Sequence, residues 1–177
     1  MAFSDLFRKK ETLPQKTEAV LRLHRCAFTG HRPERIRGME AEIIAGLRKE
    51  ILAAIEDGYT TFITGCSRGV DLWAASIVLE LRRTNKSLRL ICAVPFEGFE
   101  SKWPADWIKH YKMVRKQADW VEIICPEYTP DAYQKRNMWL VNRSTRLIAV
   151  WDGRPSGTKN TVDFANSQNI PVKIIEV

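Results

Sequence analysis

The chain has 177 residues, 45% of them hydrophobic, with a formal net charge of +7 and a pI near 9.4. This is enough for one domain with a full core, and it contains neither an apolar run of about 18 residues to span a membrane nor a signal-peptide core at its N-terminus. The basic balance points to an acidic partner (a nucleotide, a nucleic acid or an anionic surface), against the plainer reading of solvated lysines and arginines.

Residues 1–23 carry Arg8, Lys9, Lys10, Lys16 and Arg22 against Asp5, Glu11 and Glu18, and Pro14 interrupts them. They read as a basic arm outside the main domain, either a solvated tail or an arm laid on nucleic acid or a partner. Residues 24–177 read as one domain. Arg25–Thr29 is its first strand, and Gly30–Gly38 is a loop holding Arg32, Arg35 and Arg37. In Glu40–Glu56, residues Ile43, Ile44, Leu47, Ile51, Leu52 and Ile55 form one apolar stripe, which predicts a helix that Gly58 ends. Thr60–Thr64 follows as a strand, Gly69–Arg83 as a helix and Leu88–Val94 as a strand. The aromatic loop Pro95–Pro104 leads into a helix over Asp106–Gln117 and a strand over Trp120–Cys125. The remaining elements are a helix at Asp131–Ser144, a strand at Leu147–Trp151, a helix at Thr158–Gln168 and a strand at Pro171–Ile175.

Strands thus alternate with helices, and several strands are continuously apolar, as when both faces are covered. The pattern predicts a Rossmann-like, doubly wound α/β fold: a mainly parallel six-stranded sheet with helices on both faces. The leading strand order is 3-2-1-4-5-6.

Cys26, Cys66, Cys92 and Cys125 form no Cys-x-x-Cys pair. They read as reduced cysteines of a cytoplasmic protein, packed as small hydrophobes. The histidines show no ligand spacing with them, so no metal site is expected. Cys66 differs because it sits in a glycine loop, where a reactive thiol is the alternative.

In a parallel sheet the carboxyl ends of the strands share one edge, and ligands bind there. Three strand-to-helix turns converge on that edge: Thr29-Gly30-His31-Arg32, Gly65-Cys66-Ser67-Arg68-Gly69-Val70-Asp71, and Asp152-Gly153 with Ser156-Gly157-Thr158. Such turns offer free backbone N–H groups to an anion. Gly65, Ser67, Gly69, Gly157 and Thr158 are the candidate phosphate donors, and Arg32, Arg68 and Arg136 can add charge-assisted bonds. Asp71 repels phosphate and suits a ribose hydroxyl, or else steadies its helix dipole. Trp151, Phe96 and Tyr128 are candidates for stacking on a base or for core packing. His31 is either an acid–base group or a hydrogen-bonding loop residue.

Taken in order with Arg136-Asn137 and Trp151-Asp152-Gly153, these motifs resemble the YpsA-like family of the SLOG superfamily over about residues 24–177. Relatives of that family are the LOG-type phosphoribohydrolases that release cytokinins and the DNA-processing protein DprA. The resemblance implies a nucleotide or nucleotide-derived ligand, such as ADP-ribose or NAD, on the glycine loops. If the protein is an enzyme, it implies hydrolysis or transfer at a nucleotide N-glycosidic bond, with Arg136 and Asp71 as candidate catalytic residues. LOG-type enzymes carry Pro-Gly-Gly-x-Gly-Thr-x-x-Glu; Gly157-Thr158 match its Gly-Thr, and Thr161 stands where the Glu would be. That departure removes the carboxylate expected to assist cleavage. The favoured expectation is therefore a binding or sensor module, with the hydrolase as its alternative. Single-stranded DNA binding of DprA type is the second alternative, using Trp103, Trp107, Lys109, Tyr111, Lys112, Arg115 and Lys116. Homo-oligomerisation is left open.

Overall fold

The computed structural model describes residues 16–177, so residues 1–15 of the expected basic arm lie outside the described residues. Helix α1 (Glu18–Arg22) precedes β1 (Arg25–Gly30), a 3-10 turn (Pro33–Arg35) and α2 (Glu40–Glu56). Next come β2 (Thr61–Thr64), α3 (Val70–Leu81), β3 (Arg89–Val94), α4 (Ala105–Gln117) and β4 (Trp120–Ile123). The chain ends with α5 (Ala132–Asn142), β5 (Arg146–Trp151), α6 (Gly157–Ser167) and β6 (Val172–Glu176). Helix α2 occupies the span its apolar stripe predicted. The other elements of residues 24–177 form with ends shifted by a few residues at most.

All strand pairings are parallel, and the order is β4-β3-β2-β1-β5-β6. This corrects the expected 3-2-1-4-5-6: β4 lies outside β3, and β5 takes the place beside β1. The physical reason lies in the strands themselves. Leu147, Ile148, Ala149 and Val150 of β5 are fully buried, whereas every residue of β4 keeps some exposure, Glu122 included. A central position would bury that carboxylate without a partner.

The two sheet faces carry different cores. On one, Phe28, Phe62 and Leu90 pack under α2, α3 and α4, with Phe28 and Phe62 stacked at 5.7 Å. On the other, the small Ala27, Ala93 and Ala149 let α5 and α6 come close through Leu140, Val162 and Ala165. Helix α1 is held by Glu18, which pairs with Arg25 at 2.6 Å and Arg143 at 3.0 Å, and by Arg22, whose Nε donates to the Ser144 carbonyl at 2.9 Å.

From β1 the chain winds outward through β2, β3 and β4, then crosses to β5 on the other side of β1. The connections leaving β1 and β5 therefore diverge at their carboxyl ends. A reversal of this kind opens a crevice there.

Candidate functional site

A cavity of about 320 Å³ occupies that crevice. Its floor is the loop between β2 and α3. The Cys66 N–H donates to Thr64 Oγ1 at 3.1 Å, and that hydroxyl donates to the Asp71 carbonyl at 2.9 Å. The loop turns through Gly69 at φ 88°. A Cβ there would also lie 2.9 Å from the His31 carbonyl, so only glycine fits. The Ser67 N–H donates to Asp71 Oδ2 at 3.1 Å. Oδ1 of Asp71 is buried and has no partner among the described residues.

Arg136 enters from α5. Its Nη1 donates to the Gly65 carbonyl, Nη2 to Ser67 Oγ at 3.3 Å and Nε to Asn137 Oδ1 at 2.8 Å. Nη1 also lies 3.8 Å from Asp71 Oδ2, and both side chains are buried. A Cβ on Gly65 would overlap the guanidinium, so this glycine makes room for Arg136 rather than for a ligand. Burial pushes the Asp71 carboxyl above its usual range, with Arg136 opposing the rise. Tyr133, one turn before Arg136, has both the Arg136 and the Arg32 guanidinium over its ring, at 5.8 and 5.6 Å.

The opposite wall comes from β1 and the turn after β5. The His31 Nε2 lies 3.0 Å from Asp152 Oδ1, and its Nδ1 is 3.4 Å from Thr158 Oγ1. Burial pulls the His31 pKa down despite Asp152 beside it. Asp152 accepts from Arg35 at 2.8 and 3.1 Å and pairs with Arg154. These contacts, that from Arg35 foremost, hold its carboxyl below the usual range. Asp152 thus ties the rim loop to the 3-10 turn. Ser156 caps α6 by accepting from the Lys159 N–H at 3.1 Å. Gly157 and Thr158 follow at the cavity wall, and the N–H groups of a first helical turn have no helical acceptor.

Of the residues expected from the sequence, Thr29, Gly30, His31, Arg32, Ser67, Asp71, Arg136, Asn137, Ser156, Gly157 and Thr158 line this cavity. The others lie behind or beside it. Gly65 and Gly69 shape the loop. Cys66 is fully buried, with burial pushing its thiol well up and away from the thiolate. Arg68 pairs with Glu34 and lies over Trp103. Asp152 and Gly153 form the rim. None of the three aromatics considered for stacking lines the cavity: Trp151 donates from Nε1 to the Arg154 carbonyl, and Phe96 packs edge-on to Tyr128 and Tyr133. The aromatic lining residues are Phe28, from the core end of β1, and Tyr133, for which the sequence alone suggested no role. The place of Tyr133 three residues before Arg136 on a predicted helix was the available signal.

Thr161 is fully buried, and its hydroxyl donates to the Gly157 carbonyl at 3.0 Å, so it does not line the cavity. The aromatics expected for DNA stacking, Trp103 just before α4 and Trp107 and Tyr111 on it, turn inward: Tyr111 is in the core, and Trp103 and Trp107 pack against that core. Among the described residues, no helix is long and apolar enough to cross a membrane.

A model of the YspA SLOG family matches residues 26–177. A UPF0398 protein of Bacillus thuringiensis (strain Al Hakam) is 30% identical over 152 residues, covering 80% of this chain and 82% of that protein. DNA processing protein A of Streptococcus pneumoniae superposes with a TM-score of 0.64 at 17% identity, over 89% of this chain and 52% of that one. The chain thus spans about half the length of the pneumococcal protein. The same protein of Helicobacter pylori gives 0.58 at 19% identity, over 87% and 65% of the two chains. At these identities the two solved structures speak for the fold alone. The family match covers both the crevice and the strands that form it, and the chain belongs to the YpsA-like (YspA) SLOG family.

Proposed function

We propose that the crevice binds a nucleotide or nucleotide-derived ligand, such as ADP-ribose or an NAD-derived molecule, and that the protein acts as a binding or sensor module. One observation carries this reading. At the point where the strand order reverses, the α6 N-terminus and Arg32 stand near a buried carboxylate, Asp71, with one unpartnered oxygen. The N–H groups of Gly157 and Thr158 with Arg32 suit phosphate oxygens, and Asp71 Oδ1 suits a ribose hydroxyl. A cavity of about 320 Å³ is small for a ligand site. It suits one phosphoribosyl portion, with the rest of a larger ligand on the open rim.

A thermal-shift screen of AMP, ADP-ribose, NAD and short oligonucleotides tests this, since a ligand of the native state raises the Tm by mass action. Gly157 faces open space, so Gly157→Val should fold normally and lose the response to AMP, ADP-ribose and NAD. A variant that responds like the parent, or a parent deaf to every nucleotide, removes the proposal. The Helicobacter neighbour is described by its single-stranded DNA binding mode, and the oligonucleotides probe that alternative here.

Asp71 also keeps a second reading in view, hydrolysis of an N-glycosidic bond. Because β2 pairs with β1, Asp71 enters the same crevice as Arg136. A carboxylate there can stabilise the cation that develops on the ribose. Incubation with AMP and assay for free adenine decides it: release that disappears in Asp71→Asn supports the hydrolase, and no release supports the module.

A further inference from the structure

The amino edge of the sheet, opposite the crevice, carries a second groove. The carboxyl ends of α3 and α4 meet the start of β3 there around a groove of about 470 Å³. Arg82, Arg83, Lys86 and Arg89 line it, with Asp119 as its carboxylate. Through Arg89 and Asp119 it continues into a hollow of about 240 Å³ that reaches Arg25 and Trp120.

Asp119 is already engaged three times. It pairs with Arg82 at 2.8 Å and Arg89 at 3.7 Å, and accepts the Leu90 N–H at 2.9 Å. Arg83 and Lys86 are exposed, and neither forms an ion pair among the described residues. A cation after a helix offsets the helix dipole, which accounts for Arg82 or Arg83. It does not account for Lys86 and Arg89 beyond the helix, nor for the groove's far end. There Trp120 stands 38% exposed on the edge strand. The Arg25 and Arg143 guanidiniums lie over its ring at 5.9 and 6.0 Å, and Trp139 supports it edge-on at 5.7 Å.

A row of cations leading to a braced, exposed indole combines a track for a phosphate backbone with a stacking platform for an unpaired base. We infer that this amino-edge groove binds single-stranded nucleic acid, with phosphates along Arg82, Arg83, Lys86 and Arg89 and a base on Trp120. The site is independent of the nucleotide proposed for the crevice, because the two lie on opposite edges of the sheet.

Fluorescence anisotropy of a labelled oligothymidylate of twenty residues with the full chain tests this. Affinity should fall with salt, at a slope of about 0.7 per phosphate neutralised. The double variant Arg83→Ala/Lys86→Ala, at exposed positions, should bind at least about tenfold more weakly and lose about 1.4 from that slope. Trp120→Leu should weaken binding and leave the slope unchanged. Gly157→Val should bind the oligonucleotide as the parent does, whether or not the crevice holds a nucleotide. Three results would each overturn the assignment: no binding by the parent, an unchanged affinity and slope in the double variant, or equal competition by a duplex of the same length. Loss of binding in Gly157→Val would place the strand in the crevice and overturn it as well.

Discussion

Asp71 and Arg136 lie near each other in the crevice, yet neither exhausts the other. Asp71 Oδ1 has no partner among the described residues, and the closest approach between the two charged groups is 3.8 Å. Replacing Asp71 by Asn keeps the shape and leaves the Arg136 charge buried with less compensation. We expect Asp71→Asn to lose about 1–3 kcal/mol in urea unfolding, together with most of its nucleotide response. Wild-type stability in that variant would mean that the pair is solvated and the orphan oxygen carries no meaning. Thr161 gives the opposite lesson. Alignment alone invites Thr161→Glu to restore a LOG-type carboxylate, but the side chain is buried against its own helix. The variant should gain no hydrolytic activity and should melt earlier at pH 7.5. A buried Glu has a raised folded pKa, so its penalty is largest at high pH and shrinks as pH falls toward the unfolded value of about 4.3. A Tm deficit that does not narrow on acidification would refute this placement. At this scale the sequence revealed residue types at the right turn, but not which of them face inward.

Among the elements, the contact that sets the crevice floor is that of β1 with α3. Gly30 ends β1, and a Cβ there would fall 2.5–2.7 Å from the Val70 side chain at the start of α3. Glycine therefore lets the helix start close against the strand, bringing Asp71 into the same cavity as His31 and Arg32. Gly30→Ala should cost about 1–3 kcal/mol by overpacking. Val70→Ala should lose a similar amount through its cavity. The double variant should be more stable than the sum of the two losses, because each relieves the other. Strict additivity in a double-mutant cycle would show that the crowding is absorbed elsewhere. This contact explains why the loop after β1 was legible only as a glycine turn: the demand for glycine comes from an element forty residues later. The strand order escaped for a related reason. Apolar periodicity identifies strands one at a time, whereas β4 was sent to the edge by Glu122 and the partial exposure of its neighbours.

Across the whole molecule, the net charge of +7 has an address only after folding. Arg25, Arg82, Arg89 and Arg143 come from four separate stretches, and the fold collects them on the amino edge around Trp120. Acid is costly to this fold through its buried histidines. Burial lowers the pKa of both His31 and His110, one at the crevice and one between α3 and α4. An unfolded histidine takes up a proton near pH 6.5, while these two resist it in the native state. The unfolded chain then binds more protons, so stability falls as pH drops below that value. Asp71, raised by burial, works in the other direction. The carboxylates of Asp152 and Glu97, held low by Arg35 and Arg115, add to the loss only at more acid pH. Thermal melts at pH 7.5, 6.5 and 5.5 should therefore show a falling Tm in the native chain. The double variant His31→Gln/His110→Gln should show a shallower fall over the same range. An identical slope in the two proteins would assign the acid sensitivity to self-repulsion of the basic surface rather than to these buried rings.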